Sequence, residues 1–503
     1  MGDQVDSDVT TRWNVDQYRR KLQVSLQALE EMQYDTERFS SYRPMTGVEL
    51  ELDLIDGSGH PAYTSLAVLQ HLANSGVGTD FSSGTYSVQQ ELGSFNLEVN
   101  LPPRMLSGRG LTQYETEIQH AMGQVKECAA KTDSYTCAIG TLPTLFVHHL
   151  RENILSPGDR YRLLDEAIMN SRGEEILIDI VGAEAIRRRF DTIAPEAANT
   201  SVQFHIQTTP EDFAKYWNAS QAIAGLQLVV GANSPFLFGR HLWAETRIKL
   251  FEQGTDTRIA ADRARGAIPR VWFGRDWVNS VVDLYRENNY HFHPLLPRCS
   301  DDDPIEQVRD GKIPELKELR VHNGTIYRWN RPVYDIAGDQ AHLRVENRIV
   351  PSGPTSADVC ANMALYYGLV HYLVNEDNPV WKRMDFQMAA RNFQIAARHG
   401  INADQYWPED GWQPGRKLLL EKLLPAAAEG LAGLGVNSAD SARFLGIIEQ
   451  RCRRGVNGAS WQAARVAMAE HRDRLERHDA LRAMMLDYIA QSASGLPVHE
   501  WAM

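Results

Sequence analysis

The chain has 503 residues, of which 43% are hydrophobic and 23% charged, enough apolar material for one large domain with appendages or two to three ordinary ones. Its 52 basic against 65 acidic residues leave a net charge of −13, which argues against non-specific binding to nucleic acid or a membrane surface; a phosphate-bearing small ligand stays open if metal supplies the positive charge. Cys128, Cys137, Cys299, Cys360 and Cys452 are scattered with no CxxC pair, so neither a disulfide framework nor a zinc site is expected.

The start, Met1-Gly2-Asp3-Gln4-Val5-Asp6, is acidic and polar, unlike a signal peptide, and Asp6 stands where a myristoylation motif takes Ser or Thr. No apolar run approaches the roughly eighteen residues of a membrane span. A soluble protein in a reducing cytoplasm is expected.

Val15, Tyr18, Leu22, Leu26, Leu29 and Met32 recur at helical spacing and predict an amphipathic packing helix over 12–40. From Thr46 to Leu54 the period becomes two, as in a half-buried strand: Val48, Leu50, Leu52 and Leu54 face one way, Glu49, Glu51 and Asp53 the other. Acidic residues are poor strand formers, and three on one face repel each other. With no cation among them, divalent metal is the leading candidate for the missing charge.

Asp56-Gly57-Ser58-Gly59 ends that strand as a turn, and 64–75 reads as helical. A second strand, Phe95 to Leu101, presents Asn96, Glu98 and Asn100 on its polar face, and Pro102-Pro103 is expected to stop it. A helix is predicted over 110–131, then a short strand leading into Gly140-Thr141-Leu142-Pro143. A third strand, Ser201 to Gln207, has Gln203, His205 and Gln207 opposite Val202, Phe204 and Ile206. A helix over 210–230 ends at Gly231-Ala232-Asn233-Ser234-Pro235, and 286–340 shows no clear period. The fourth strand, Leu343 to Ile349, carries Arg344, Glu346 and Arg348 and closes at Pro351-Ser352-Gly353-Pro354. An apolar helix over 355–374 follows, and from 385 the chain reads as helices with short breaks.

Strands separated by long helical insertions predict an α+β fold, one sheet with helices on one face. If the four apolar faces share that helix layer, the four polar faces share the opposite side. That side then gathers at least four carboxylates, an imidazole and two guanidinium groups without a lysine. Hard carboxylate oxygens suit Mg²⁺ bridging to a phosphate, and the planar Arg fork suits phosphate oxygens. Singly, each piece has a plainer reading: a solvated edge, a structural histidine, a surface ion-pair ladder. Their joint occurrence carries the argument.

Gly47-Val48-Glu49-Leu50-Glu51, then Glu91-Leu92 with Glu98-Val99-Asn100 seven residues on, then Gln203-Phe204-His205, Ala232-Asn233-Ser234-Pro235-Phe236, Val345-Glu346-Asn347-Arg348 and Ala396-Ala397-Arg398-His399-Gly400 occur in this order. The set resembles the glutamate–cysteine ligase family of carboxylate–amine ligases, within the glutamine synthetase superfamily. The resemblance implies a curved, mainly antiparallel catalytic sheet with helices on its outer face over 45–400. An N-terminal helical segment (1–44) would precede it, and a C-terminal helical region (401–503) would pack on it. It implies that Glu51, Glu91 and Glu98 hold one metal and Glu49, His205 and Glu346 a second, with two or three Mg²⁺ ions in all and Mn²⁺ as a substitute. Arg348, Glu98 and Asn100 would act in catalysis; Arg348, Arg344 and Gln203 would meet ATP; Asn233, Arg247 and Asn100 would lie along the substrate. The implied reaction phosphorylates the γ-carboxylate of glutamate with ATP and joins it to the amine of cysteine. No Gly-x₄-Gly-Lys-Ser/Thr loop is present, and none is needed where metals and Arg neutralise the phosphates.

Three departures concern the acceptor. Leu142 replaces a common His, Pro351-Ser352-Gly353 replaces an acidic residue, and His241-Leu242-Trp243-Ala244 replaces a Gly/Ser-rich approach to Arg247. The same acyl-phosphate chemistry with a different carboxylate, or with another amine or amino acid as acceptor, therefore stays open, as does self-association. From a different class, a non-catalytic nucleotide-binding relative is the alternative. Asp53 matches nothing in the motif and is expected to tune the field or meet a cation at the rim.

Overall fold

The alternating stretch around Glu49 and Glu51 is β1, Met45–Ile55, in a computed structural model that describes residues 12–40, 44–78, 86–151 and 153–502. The expectations about the first six residues lie outside these. The other main strands are β2 (Ser87–Gln90), β3 (Asn96–Met105), β4 (Tyr135–Cys137), β5 (Val202–Thr208), β6 (Asn330–Ala337) and β7 (Gln340–Asn347). They form one curled antiparallel sheet in the order β6-β7-β5-β1-β3-β2, with β4 paired to the far end of β1.

The helices that matter for the site are α1 (Arg12–Met32), α2 (Gly110–Ala130), α3 (Asp159–Arg172), α4 (Phe213–Ala222), α5 (Ala224–Gly231), α6 (Thr246–Gly254) and α7 (Ser356–Val374). Beyond them run α8 (Phe386–His399), α9 (Leu424–Gly433), α10 (Ser438–Arg454), α11 (Gly458–His471) and α12 (Arg477–Ser492). The apolar faces of the strands pack on this layer, as the alternation requires: Val48, Leu50, Val99, Phe204 and Val345 share a core with Tyr114 of α2 and Tyr366 of α7. Each such side chain contributes about 1.5–3 kcal/mol when fully buried. Phe204 stacks on Tyr366 at 5.8 Å, and the Tyr367 hydroxyl donates to the carbonyl oxygens of Gly47 (3.1 Å) and His205 (2.8 Å). The helix layer thus grips β1 and β5 from behind and leaves their polar side chains facing away from it.

The first main core also takes Leu22 and Leu29 of α1, Leu431 of α9 and Phe444 of α10. A second joins Ile139, Leu142 and Phe236 to Trp461 of α11 and Tyr488 of α12. Both cores therefore run across residue 400. Among the described residues no helix is long and apolar enough to cross a membrane.

Several elements differ from the sequence reading. β3 passes through Pro102-Pro103 to Met105, because pairing slips between Thr46 and Val48 and sets both prolines opposite Gly47. In that bulge the missing N–H groups break no ladder bond. β6 was hidden by Pro332, which an edge strand tolerates. The ribbons Ile176–Val181 with Ala185–Phe190 and Asp404–Trp407 with Gly411–Pro414 are additional strands, and the helix expected over 210–230 divides at Ile223 into α4 and α5. Asp53 is not at the rim: it is 0% exposed and accepts from Asn96 Nδ2 at 2.7 Å.

Candidate active site

The pairing register builds the site. Across β1–β3, Glu49 is opposite Asn100 and Glu51 opposite Glu98; across β1–β5, Glu49 is opposite Gln203. His205 is opposite Glu346 across β5–β7, and Glu346 is opposite Arg331 across β7–β6. Directly opposed residues share a face with Cβ atoms about 4.5–5.5 Å apart, so all these side chains stand on the side away from the helices. The four polar faces read from the sequence do form one surface.

Two adjoining cavities lie on it. The smaller, ≈ 190 Å³, is bordered by Glu51, Glu91, Glu98 and Arg348, and also by Glu196, Arg160 and Tyr161. The larger, ≈ 660 Å³, is bordered by His205, Arg344 and Asn100 and has an apolar wall of Tyr285, Tyr334 and Ile336. Glu49, Arg320 and Arg331 border both.

At the smaller cavity the carboxylates have only neutral donors. Glu51 accepts from the Ser201 N–H (2.5 Å) and hydroxyl (3.0 Å) and from Gln203 Nε2 (3.3 Å). Glu98 Oε1 accepts from Gln89 Nε2 (2.5 Å) and Asn100 Nδ2 (3.0 Å), and Glu91 takes the N–H of Leu92 (3.1 Å). Burial and the Glu91 charge push Glu51 up to about 7; burial and the charges of Glu49 and Glu91 push Glu98 up to about 8. Burial with Glu91 and Glu51 nearby raises Glu196 well above the carboxylate range.

The other end is saturated with cations. Arg331 grips Glu346 with two bonds (3.0 and 2.8 Å), and Arg348 Nε and a terminal nitrogen add bonds of 3.0 and 2.5 Å. Burial alone would raise Glu346, but the two guanidinium groups hold it well below the usual range. Burial likewise opposes Glu49, whose pKa the adjacent His205 brings down to about 2. His205 Nε2 is 3.2 Å from Glu49 Oε1, though out of line for a hydrogen bond. Arg344 Nε lies within hydrogen-bond distance of His205 Nδ1, at 3.2 Å.

Among the described residues no three or more His, Cys, Asp or Glu side chains close into a metal-binding cluster. The carboxylates instead turn to the nearest donors, as uncompensated buried charges must. The donor chemistry of Glu51, Glu91 and Glu98 fits a hard divalent ion: three carboxylates, no basic side chain bonded to any, and the Asn100 Oδ1 nearby buried without a partner. For Glu49, His205 and Glu346 the fit requires Arg331 and Arg348 to release Glu346 and Arg344 to release His205.

The remaining candidates divide. Gln203 Oε1 accepts from Arg348 at 3.2 Å beside the smaller cavity, and Arg344 borders the larger one while bonding Asp335 at 3.2 Å. Arg247 borders the smaller cavity but is committed to Glu245 (2.8 Å) and to the carbonyl oxygens of Arg348 and Ile349. Asn233 stands behind the site, fully buried: its amide donates to Ser352 O and the Tyr488 hydroxyl (2.8 Å each) and accepts from Gln462 (2.7 Å). Ser352 in turn donates to Glu51 O at 2.6 Å, so Pro351-Ser352-Gly353 braces β1 from behind. Gly353 has φ +79°, and a Cβ there would run into the Ala138 carbonyl. Arg331, Glu196, Arg160 and Arg320 escaped the sequence reading. Arg331 alone had a usable signal, the alternation along β6; the others sit outside any strand pattern.

A sequence profile of glutamate-cysteine ligase family 2 matches residues 45–484. No curated protein sequence matches. Among solved structures, the chain is similar to a glutamate–cysteine ligase from Francisella tularensis in complex with AMP. The identity is 11%, 92% of this chain and 97% of that one are covered, and the TM-score is 0.52. A bifunctional glutathione synthetase from Pasteurella multocida shares 12% identity over 95% of this chain and 55% of that one, with a TM-score of 0.45. At these identities the structural likeness concerns the fold alone.

Proposed function

The chain belongs to glutamate-cysteine ligase family 2, an assignment that makes it an ATP-dependent carboxylate–amine ligase, and on that premise we propose that it joins glutamate to cysteine as γ-glutamylcysteine. In the first step a γ-carboxylate oxygen attacks the terminal phosphorus of ATP and ADP leaves. In the second the amine attacks the acyl phosphate, phosphate leaves, and the amine proton passes to solvent. The carboxylate needs this activation because oxide is not a leaving group.

The single observation behind the reading is the convergence of Glu51, Glu91 and Glu98 on one cavity, which Arg348 also borders. Mg²⁺ or Mn²⁺ held by those carboxylates would neutralise phosphate charge. Arg348, always charged, would meet the transferring phosphoryl group from the Glu346 side, and Arg344 would meet the nucleotide phosphates. Tyr285, Tyr334 and Ile336 give the larger cavity the apolar wall that suits an adenine ring, with Glu49 and Arg331 at the passage to the smaller one. Asn100 would keep Glu98 oriented through its 3.0 Å bond.

The test is ADP release with Mg²⁺, glutamate and cysteine, run beside Glu51→Gln. Release should depend on both amino acids and fall at least about 100-fold in the variant. Equal release from both proteins would sink the assignment. One observation favours a second reading, the same chemistry with another amine: Leu142, where the family often has His, is 0% exposed in the second core and offers the acceptor nothing polar. A screen of amines against glutamate, read by product mass, separates the two.

A further inference from the structure

The smaller cavity is lined by two ionisable groups that the catalytic reading leaves unused. Of the arginines bordering it, Arg247 is bonded to Glu245, Arg348 and Arg331 to Glu346, and Arg320 to Asp335. Arg160 makes no hydrogen bond or ion pair to a carboxylate among the described residues; its guanidinium lies 5.2 Å from the Tyr161 ring centroid, with the charges of Glu91 and Glu98 acting on it from a distance. Arg162, two positions on, shows what a surface arginine of α3 does here, pairing with Asp159 (2.6 Å) and Glu166 (2.8 Å). Arg160 sits on the cavity wall instead.

Glu196 is the counterpart among the acids. Glu51, Glu91 and Glu98 each accept hydrogen bonds and Glu49 lies against His205, whereas the Glu196 carboxylate has no donor among the described residues. Arg348 and Arg247 act on Glu196, and Glu91 and Glu98 on Arg160, only through space, so each group keeps its hydrogen-bonding capacity for a ligand of opposite charge. The two are held in a fixed relation. Glu196 lies in the turn Ala194–Ala198, and Asp165 of α3 fastens the residues just before it, accepting the Ile193 N–H at 2.8 Å and the Thr192 hydroxyl at 3.3 Å. The same cavity is also lined by Leu164, Ile193 and Phe251.

We propose that Arg160 and Glu196 bracket the zwitterion of an α-amino-acid substrate, Arg160 taking its carboxylate in a two-pronged contact and Glu196 its ammonium. The inference rests on the ligase reading and narrows its substrate class: the smaller cavity accepts a free amino acid and rejects a simple amine or a carboxamide. Recognition by buried charged groups discriminates strongly, because an analogue lacking one charge leaves its partner unpaired. At ≈ 190 Å³ the cavity has room for an amino acid.

The test is calorimetry on the full chain with Mg²⁺ and a non-hydrolysable ATP analogue, titrating glutamate, cysteine, and their carboxamide and decarboxylated forms. Wild type should bind at least one of the free amino acids about 10- to 100-fold more tightly than its carboxamide. Arg160→Gln should abolish that preference and leave nucleotide affinity unchanged, with Arg160→Lys recovering part of it. Glu196→Gln should abolish discrimination against the analogue that lacks the amine. Wild-type binding of no free amino acid, or an unaltered preference in Arg160→Gln, would overturn the proposal. ADP release by wild type, measured in parallel, reads the ligase assignment separately: amino-acid binding without ADP release defeats the ligase reading and leaves the bracket standing.

Discussion

One sheet face presents two opposite solutions to the same problem. At the β3 side, Glu51 and Glu98 are buried among neutral donors and each other, and their pKa values rise to about 7 and about 8. At the β7 side, Glu346 is equally buried, yet Arg331 and Arg348 hold it ionised. The strands are equivalent in pattern; the difference is where the counter-charge comes from. At β7 the chain supplies it. At β3 no basic side chain bonds the carboxylates, so neutralisation is left to protons or to the proposed cation, and the two ends should respond in opposite ways to the same substitution.

The largest expected effect comes from removing the internal pair. Glu346→Gln leaves two guanidinium groups without their carboxylate and should destabilise the protein by about 3–5 kcal/mol, read from urea midpoints at constant slope. A loss below about 1 kcal/mol would mean that Glu346 is not the shared anchor.

Glu98→Gln should do the reverse to stability. With metal chelated it removes a charge from a crowd of like charges, so the midpoint should hold or rise, while Mg²⁺-dependent ADP release falls about 100- to 1000-fold. The pH dependence sharpens this. An acid with a raised folded pKa adds stability that is complete below its unfolded value, near 4.5, and is lost as pH climbs through the folded values of about 7 for Glu51 and about 8 for Glu98. Chelated wild type should therefore weaken between pH 5 and about 8, Mg²⁺ should restore the loss, and Glu98→Gln should flatten the profile. A chelated wild type that gains stability across that window would contradict the raised values.

The smallest effect concerns geometry. Arg331→Lys keeps the charge at β6 and loses the fork that grips Glu346 at 3.0 and 2.8 Å. A cost of about 1 kcal/mol is expected, with ATP affinity falling only modestly. A loss as large as that of Glu346→Gln would assign Arg331 the anchoring that the comparison gives to the carboxylate.

Much of this face was legible before any coordinates. A period of two is a local property of the backbone, so the alternation around Glu49, Glu98, His205 and Glu346 put each on the polar side of its strand whatever the neighbours were. The order of the motifs pointed to the family. Strand ends were less legible: Pro102-Pro103 read as a stop until the slip in pairing at Gly47 gave the prolines a bulge to occupy. Asn233, prominent in its motif, turned out to be wedged between Ser352, Tyr488 and Gln462 behind the cavity, because its partners come from segments more than a hundred residues away.

What the sequence determined by itself was therefore which side chains share a face, since that follows from backbone geometry over a few residues. What only the tertiary structure decided was which charge meets which. Arg331 reaches Glu346 because two strands pair in one register; Arg160 and Glu196 line one cavity, where Asp165 ties a helix to the turn that carries Glu196. Counter-charges interact through space, over distances that contact and burial set, and no local pattern encodes them.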